Sequence, residues 1–96
     1  MREAQYQPKL IERLYKRFNG CVIIQNDPKR IQGVCDLLVL WQDRWAMLEV
    51  KRSAHETPRP NQPYYVDAFN KMSFAAFIYP ENEAEVLDAL QSAFGA

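Results

Sequence analysis

Asp36 is an acidic residue within an almost entirely apolar segment, Val34–Trp41. Burying a carboxylate without a partner is costly, so packing alone gives no reason for an acid at this position. Glu49 and Lys51 are two positions apart in a segment of alternating polarity, so they project from the same face of a strand. Two carboxylates beside an ammonium can bind a divalent cation and act on a phosphodiester.

A hairpin would bring these groups together. If Gln42 and Asp43 form a two-residue turn, Asp36 lies directly opposite Glu49, with the carboxylates about 5 Å apart. Like charges so placed destabilise a sheet unless a cation binds between them. Because the ligands are carboxylate oxygens, with no thiolate or imidazole nearby, the pattern favours Mg²⁺ or Mn²⁺ over zinc.

The elements that must position these residues follow from periodicity and turn signals. Apolar residues at helical spacing predict a first helix, and β-branched or alternating runs predict strands. Pro80 is expected to open a last helix, with Glu81, Glu83 and Glu85 complementing the helix dipole in its first turn. The predicted segments are a helix over 7–18, strands over 21–24, 34–41 and 45–51, a polar loop over 52–63, a helix over 62–71, a strand over 74–79 and a helix from Pro80.

The composition indicates one domain over residues 1–96, because 96 residues with 48% apolar content form only one small core. The net charge is zero, which by itself argues against a nucleic-acid partner. The charge is divided unevenly, however. Residues 1–60 hold eleven of the twelve Lys and Arg residues and seven acids, a net charge of +4, whereas residues 61–96 carry −4. The N-terminal part can therefore face a phosphate backbone.

Cysteine usage and hydropathy indicate the class of protein. Cys21 and Cys35 lack the spacings of redox or zinc sites and are expected to be small core residues. No signal-like segment opens the chain, and no apolar run approaches the roughly 18 residues that cross a bilayer. We expect a soluble intracellular protein, cytoplasmic and without a membrane partner. Since so small a core is marginally stable alone, the sequence leaves open a homodimer.

Asp36, twelve intervening residues and then Glu49-Val50-Lys51 resemble the D-x(n)-ExK signature of the PD-(D/E)XK nucleases. The segments 33–40 and 48–52 are most similar to the VRR-NUC branch and to the archaeal and phage Holliday junction resolvases. The likeness spans most of the chain. It departs at Cys35, where that family usually has proline, at the start of the strand rather than at a ligand.

The resemblance implies an α/β fold: a restriction-endonuclease-like αβββαβ core, with a mixed β-sheet flanked by helices and an extra C-terminal helix. It also implies a Mg²⁺- or Mn²⁺-dependent DNA endonuclease that acts on branched, flap or Holliday junction DNA, in the host cytoplasm if the protein is of phage origin. The residues expected to act are Asp36, Glu49, Lys51 and Gln62 in catalysis, Asp36, Glu49, Val50 and Glu3 at the metal, and Asn26, Lys29, Arg30, Arg52 and Arg59 on nucleic acid.

Two acids in the first helix compete for the additional metal ligand. Members of the family usually add a glutamate from this helix. Glu3 lies within about 20° of Leu10 on the inward stripe, whereas Glu12 is rotated by about 200° toward solvent. Geometry therefore favours Glu3, although Pro8, expected in the first helical turn, places Glu3 in a lead-in before the helix.

Other interpretations remain open. The alternative is a non-catalytic module that keeps the fold to bind nucleic acid or protein, although the presence of all three motif residues disfavours this. An acidic interaction protein acting through its last helix has only Glu81, Glu83 and Glu85 in its favour. Gln62 at a helix start is also explained by a bond to backbone, and Asn26 by turn chemistry.

Overall fold

Three helices and four strands follow the predicted α-β-β-β-α-β-α order in the computed structural model, which describes residues 2–95. The elements are α1 (Glu3–Arg17), β1 (Val22–Gln25), β2 (Leu37–Trp41), β3 (Arg44–Val50), α2 (Gln62–Met72), β4 (Phe74–Ile78) and α3 (Glu83–Ala93). No helix within this described part of the chain is both long enough and apolar enough to cross a bilayer.

The strands form one mixed sheet in the order β1-β2-β3-β4. The β1–β2 and β2–β3 pairs are antiparallel, and β3–β4 is parallel. The predicted hairpin is confirmed: Leu37 pairs with Leu48, and Trp41 pairs with Arg44 across a two-residue turn. Gln42 opens this turn with a φ of 56°, in the left-handed region that tight hairpins use.

One face of the sheet carries the main core, and α1 and α3 cover it. Side chains at every second position of β2 and β3 point into this core. Its fully buried members include Leu10, Leu14, Leu37, Val39, Ala46, Leu48, Val50, Ile78 and Leu90. On the other face, α2 lies over β3 and β4, where Phe69 packs edge-on against Trp45 with ring centroids 6.1 Å apart.

The apolar run of β2 predicted burial on both faces, and this prediction is wrong for one face. Leu37 and Val39 are buried, but Leu38 and Leu40 are only half-buried. The reason is the placement of α2 over β3 and β4, which leaves β1 and β2 partly open on that side. Apolar composition alone does not show which strands a single helix will cover.

Helix α1 begins at Glu3, four residues before the predicted start, so Pro8 lies inside the helix. A proline there removes a hydrogen bond to the carbonyl of Ala4 and costs about 3 kcal/mol. Pro8 and Ala4 are both exposed, so water can reach that carbonyl. The buried Tyr6 holds the extra turn against the core, which offsets the cost.

The last helix begins at Glu83 rather than at Pro80, which lies with Glu81 in the preceding turn. Glu83 does more than complement a dipole. Its carboxylate accepts hydrogen bonds from Tyr6 Oη over 2.7 Å and from Arg13 Nε over 2.6 Å. These contacts fasten α3 to α1. The buried face predicted for this helix (Val86, Leu87, Leu90 and Phe94) is confirmed.

Candidate active site

Three polar side chains are buried together where β3 ends and α2 begins. Glu49 is 2% exposed, Lys51 4% and Gln62 7%. Glu49 and Lys51 leave the same face of the strand, as the alternation predicted, and Gln62 is the first residue of α2. Buried polar groups nearly always have partners, so these three should satisfy one another.

Gln62 bridges the other two residues. Its Nε2 donates to Glu49 Oε2 over 2.8 Å, and its Oε1 accepts from Lys51 Nζ over 2.6 Å. The same Oε1 accepts the backbone N–H of Arg59 over 2.7 Å. Two donors on the oxygen fix the orientation of the amide. Gln62 therefore ties the polar loop before α2 to both charged residues.

Asp36 reaches this cluster from the start of β2. β2 begins only at Leu37, and the Asp36 carboxylate, instead of a strand carbonyl, accepts the N–H of Val50 over 2.8 Å. The N–H of Lys51 donates to Ile78 on the opposite side. Because backbone groups alternate along a strand, the carbonyl of Val50 also points toward Asp36. Two carboxylates and one carbonyl therefore meet at this end of the sheet.

The electrostatics of the cluster are dominated by negative charge. Burial, followed by the charge of Asp36, raises the pKa of Glu49 to about 8, and Lys51 only partly opposes this. Burial also raises the pKa of Glu3, with further contributions from Asp36 and Glu56. Carboxylates pushed toward the neutral form are relieved by a proton or by a cation.

A hard cation fits these donors. Glu49 Oε1 is buried and has no hydrogen-bond partner among the residues described. Within residues 2–95, no three His, Cys, Asp or Glu side chains are grouped closely enough to hold a metal, so Glu3 does not join Asp36 and Glu49 in one cluster. Mg²⁺ usually takes only one or two carboxylates and completes its shell with water and phosphate. Asp36, Glu49 and the Val50 carbonyl suit such a site.

The two candidate glutamates of α1 are placed as the helical geometry predicted. Glu3 is half-buried in the first turn and lies near enough to Asp36 and Lys51 to interact with their charges. Glu12 is exposed and lies 3.7 Å from Lys16 on the solvent side. Glu3 therefore faces the site and Glu12 does not, while direct coordination by Glu3 stays a prediction.

Two solved structures are similar to this chain. One, described as a "VRR_NUC domain protein", has a TM-score of 0.70 at 15% identity and covers 97% of this chain and 90% of its own. The other, described as "VRR_NUC domain", has a TM-score of 0.58 at 22% identity, covering 82% and 85%. The chain has the VRR-NUC fold. No protein-family model and no curated protein matches the sequence.

The basic residues predicted to bind nucleic acid lie on two loops of the VRR-NUC fold that border the site. Lys29 and Arg30 are exposed on the loop between β1 and β2, and Arg52 and Arg59 are exposed on the loop before α2. Asn26 differs, because its amide donates to the Cys35 carbonyl over 2.9 Å and contacts Met47 Sδ at 3.5 Å. The amide of Asn26 thus holds the loop in place.

Close packing between the two loops was not predicted. Gly33 has a φ of 88°, and a Cβ there would lie 2.6 Å from Cβ of Asn61, which itself has a φ of 73°. Only a glycine permits this approach. The sequence feature that could have indicated this contact is the single glycine in the polar segment between β1 and β2. This contact holds the two loops together just before Asp36 and Gln62, so that both residues reach the same site.

Proposed function

We propose that this protein is a metal-dependent nuclease that hydrolyses phosphodiester bonds in DNA. The observation that carries the proposal is the buried Glu49–Gln62–Lys51 network, which meets the Asp36 carboxylate at one end of the sheet. The similarity of fold to VRR_NUC domain proteins supports a nuclease-family domain.

A purely structural role explains this network poorly. Burying a lysine and a glutamate costs desolvation energy that an ion pair seldom recovers, and apolar residues of similar size would often be as stable. Here Lys51 Nζ and Glu49 Oε2 are also 3.6 Å apart, which is long for a strong pair. The ammonium is held in place without being closely neutralised, as binding of a phosphate requires.

Asp36, Glu49 and the carbonyl of Val50 would hold Mg²⁺ or Mn²⁺, with Glu3 nearby. When bound, the metal would supply Lewis-acid chemistry, namely activation of a water and neutralisation of charge on a phosphate oxygen. Lys51 then stabilises the charge that develops on the phosphate, and Gln62 orients Lys51 and Glu49. Lys29, Arg30, Arg52 and Arg59 bind the DNA backbone on either side.

The DNA is inferred to be branched or otherwise structured, as the resemblance to the VRR-NUC branch and the Holliday junction resolvases implies. A chain of 96 residues has little surface for reading base edges, so recognition of backbone and shape is favoured.

A homodimer is part of the proposal. Val22 and Ile24, on the edge strand β1, are 54% and 44% exposed and offer an apolar surface to a second copy.

The test is cleavage of linear, flap and four-way DNA by the purified protein with Mg²⁺ or Mn²⁺. Lys51→Ala should reduce the rate by roughly 100-fold or more while DNA binding survives. Lys71→Ala is the matched control, because Lys71 is exposed and pairs with Asp67 at 3.1 Å on the outside of α2. Cutting that is unaffected by Asp36→Asn and Glu49→Gln would refute the site.

A non-catalytic DNA-binding module is the second candidate. It is favoured by one observation, that Glu3, Asp36 and Glu49 do not form a ready three-carboxylate metal site. In that case the protein would bind the same DNA panel without cutting it in either metal, and Lys51→Ala would alter affinity alone.

A further inference from the structure

We propose that a cleft beside the active site holds one unpaired nucleobase of the substrate strand, next to the bond that is cut. This inference rests on the proposed nuclease function. The cleft has a volume of about 680 Å³ and lies between the first half of α1 and the end of β1. Its walls include Glu3, Gln7, Pro8, Ile11, Gln25 and Arg59.

The chemistry of the walls suits a base better than a phosphate. Phosphate sites need an excess of positive charge, whereas Glu3 and Arg59 carry opposite charges here. The other walls combine two neutral amides with apolar surface. Each amide both donates and accepts hydrogen bonds, as the edge of a base does, and apolar contacts suit its faces.

The two amides are positioned to receive such a ligand. Gln7 on α1 and Gln25 on β1 both line the cleft, with Gln7 Nε2 3.4 Å from Gln25 Oε1. That distance exceeds the usual range for an N–H···O hydrogen bond, so the contact is weak. A ligand edge can therefore replace it at little cost.

The cleft lies beside the active site, and Arg59 borders both. Glu3 lies one helical turn before Gln7, and Gln25 pairs with Leu37, the residue after Asp36. Arg59 also borders a smaller cleft of about 250 Å³, which Asp36 and Gln62 line. A strand that places its phosphate at Asp36 and passes over Arg59 would direct the neighbouring base between the amides.

Only an unpaired base can enter without a large penalty. In a duplex the base is stacked and its hydrogen-bonding edge is occupied, so it must first leave the helix, and this costs least where the base is already unpaired. The cleft would therefore select DNA with an unpaired nucleotide beside the cleaved bond, such as the branch point of a flap or fork.

The experiment compares three DNA substrates that contain 2-aminopurine. Two are forked duplexes, each labelled on a different arm at the unpaired position nearest the branch. The third is a fully paired duplex labelled at the same sequence position. Binding is measured by fluorescence in EDTA, so that no metal-dependent cutting occurs. Among the described residues that line the cleft, none is aromatic. We therefore expect the fluorescence to rise as the base leaves its stacked neighbours, on one arm of the fork and not in the duplex.

Variants locate the effect. Gln7→Ala combined with Gln25→Ala should weaken binding of the fork about tenfold, since two hydrogen bonds are lost, and should leave the duplex unchanged. Ala4→Leu, which adds bulk to an exposed position on the cleft wall, should act in the same direction. Gln91→Ala is the matched control: Gln91 lies on α3 and bonds to Arg17, at the other end of α1.

The base site is overturned if the fluorescence is unchanged on both arms, or if the cleft variants weaken fork and duplex equally. Cleavage by the wild-type protein in Mg²⁺ or Mn²⁺ is scored separately. A protein that shows the fluorescence rise but does not cut retains the base site and loses the nuclease assignment. A protein that cuts without the rise retains the nuclease and loses the base site.

Discussion

Lys51 Nζ lies 3.6 Å from Glu49 Oε2, beyond hydrogen-bond length, because the Gln62 amide bridges the two groups. The strongest bond of the ammonium is thus to a neutral amide. Its charge stays directed at the site instead of being cancelled by a close ion pair.

Removal of this bridge should lower both the cleavage rate and the stability of the fold. In Gln62→Ala, Lys51 and Glu49 are free to form a direct pair, and we expect the cleavage rate to fall roughly tenfold or more, equivalent to about 1.4 kcal/mol at the transition state. The free energy of unfolding should change by about 1–3 kcal/mol, measured by urea denaturation. Gln91→Ala, which breaks one exposed side-chain bond, serves as the control. An unchanged rate would remove Gln62 from the mechanism.

Mg²⁺ should stabilise the fold through Asp36 and Glu49. A ligand that binds only the folded state adds about 2.7 kcal/mol at a concentration of 100 times its Kd. As Mg²⁺ is increased, the Tm of the wild type should therefore rise, whereas the Tm of Asp36→Asn should not change. Because metal ligands must be deprotonated, the rise should be larger at pH 8 than at pH 6. An equal rise in the variant would place the cation elsewhere.

Stability without metal should depend on the protonation of Glu49. Its pKa is raised from the usual 4.5 to about 8, chiefly by burial and by Asp36, so between these values the folded state keeps a proton that the unfolded state has lost. This contribution is fully present below pH 4.5 and is lost as the pH rises through 8. In EDTA, the Tm of Glu49→Gln minus that of the wild type should therefore increase from pH 5 to pH 9. A constant difference would contradict the raised pKa.

The Tyr6–Glu83–Arg13 contact should have the opposite pH dependence. Burial tends to raise the pKa of Glu83, but hydrogen bonds from Arg13 and Tyr6 outweigh this and hold it below the usual 4.5. Its stabilisation is therefore present above pH 4.5 and is lost as the pH falls through the lowered pKa. Glu83→Gln should cost about 1.5–3 kcal/mol at pH 7, and less at pH 3, by chemical denaturation. Glu85→Gln, in the same helical turn, should have little effect.

Gly33 offers a test of the contact between the two loops. Gly33→Ala must accommodate a Cβ 2.6 Å from Asn61 at a φ of 88°, and we expect a loss of about 1–3 kcal/mol together with slower cleavage. Gly20→Ala is the matched control, since Gly20 has the same φ of 88° but nothing within 4 Å of the added Cβ. It should show only the smaller backbone cost and normal cleavage. Equal effects at both positions would mean that the loop contact is unimportant.

Local patterns in the sequence were sufficient to predict the hairpin and the placement of its charged residues. Alternating polarity placed Glu49 and Lys51 on one face, and a two-residue turn set the register that brings Asp36 beside them. The helical periodicity of α1 predicted that Glu3 faces the protein interior and that Glu12 faces solvent, as the structure shows. These properties depend on residues a few positions apart, whose spacing repeats with the strand or helix period.

Contacts between distant segments could be decided only by the tertiary structure. The Asp36 carboxylate replaces a strand carbonyl at Val50, Gln62 reaches Glu49 across 13 positions, and Tyr6 reaches Glu83 across 77. No period in the sequence encodes such pairs, because they depend on how whole elements pack. The sequence by itself determined which charged groups share the hairpin; the packing of α1, α2 and the two loops decided which of their atoms meet.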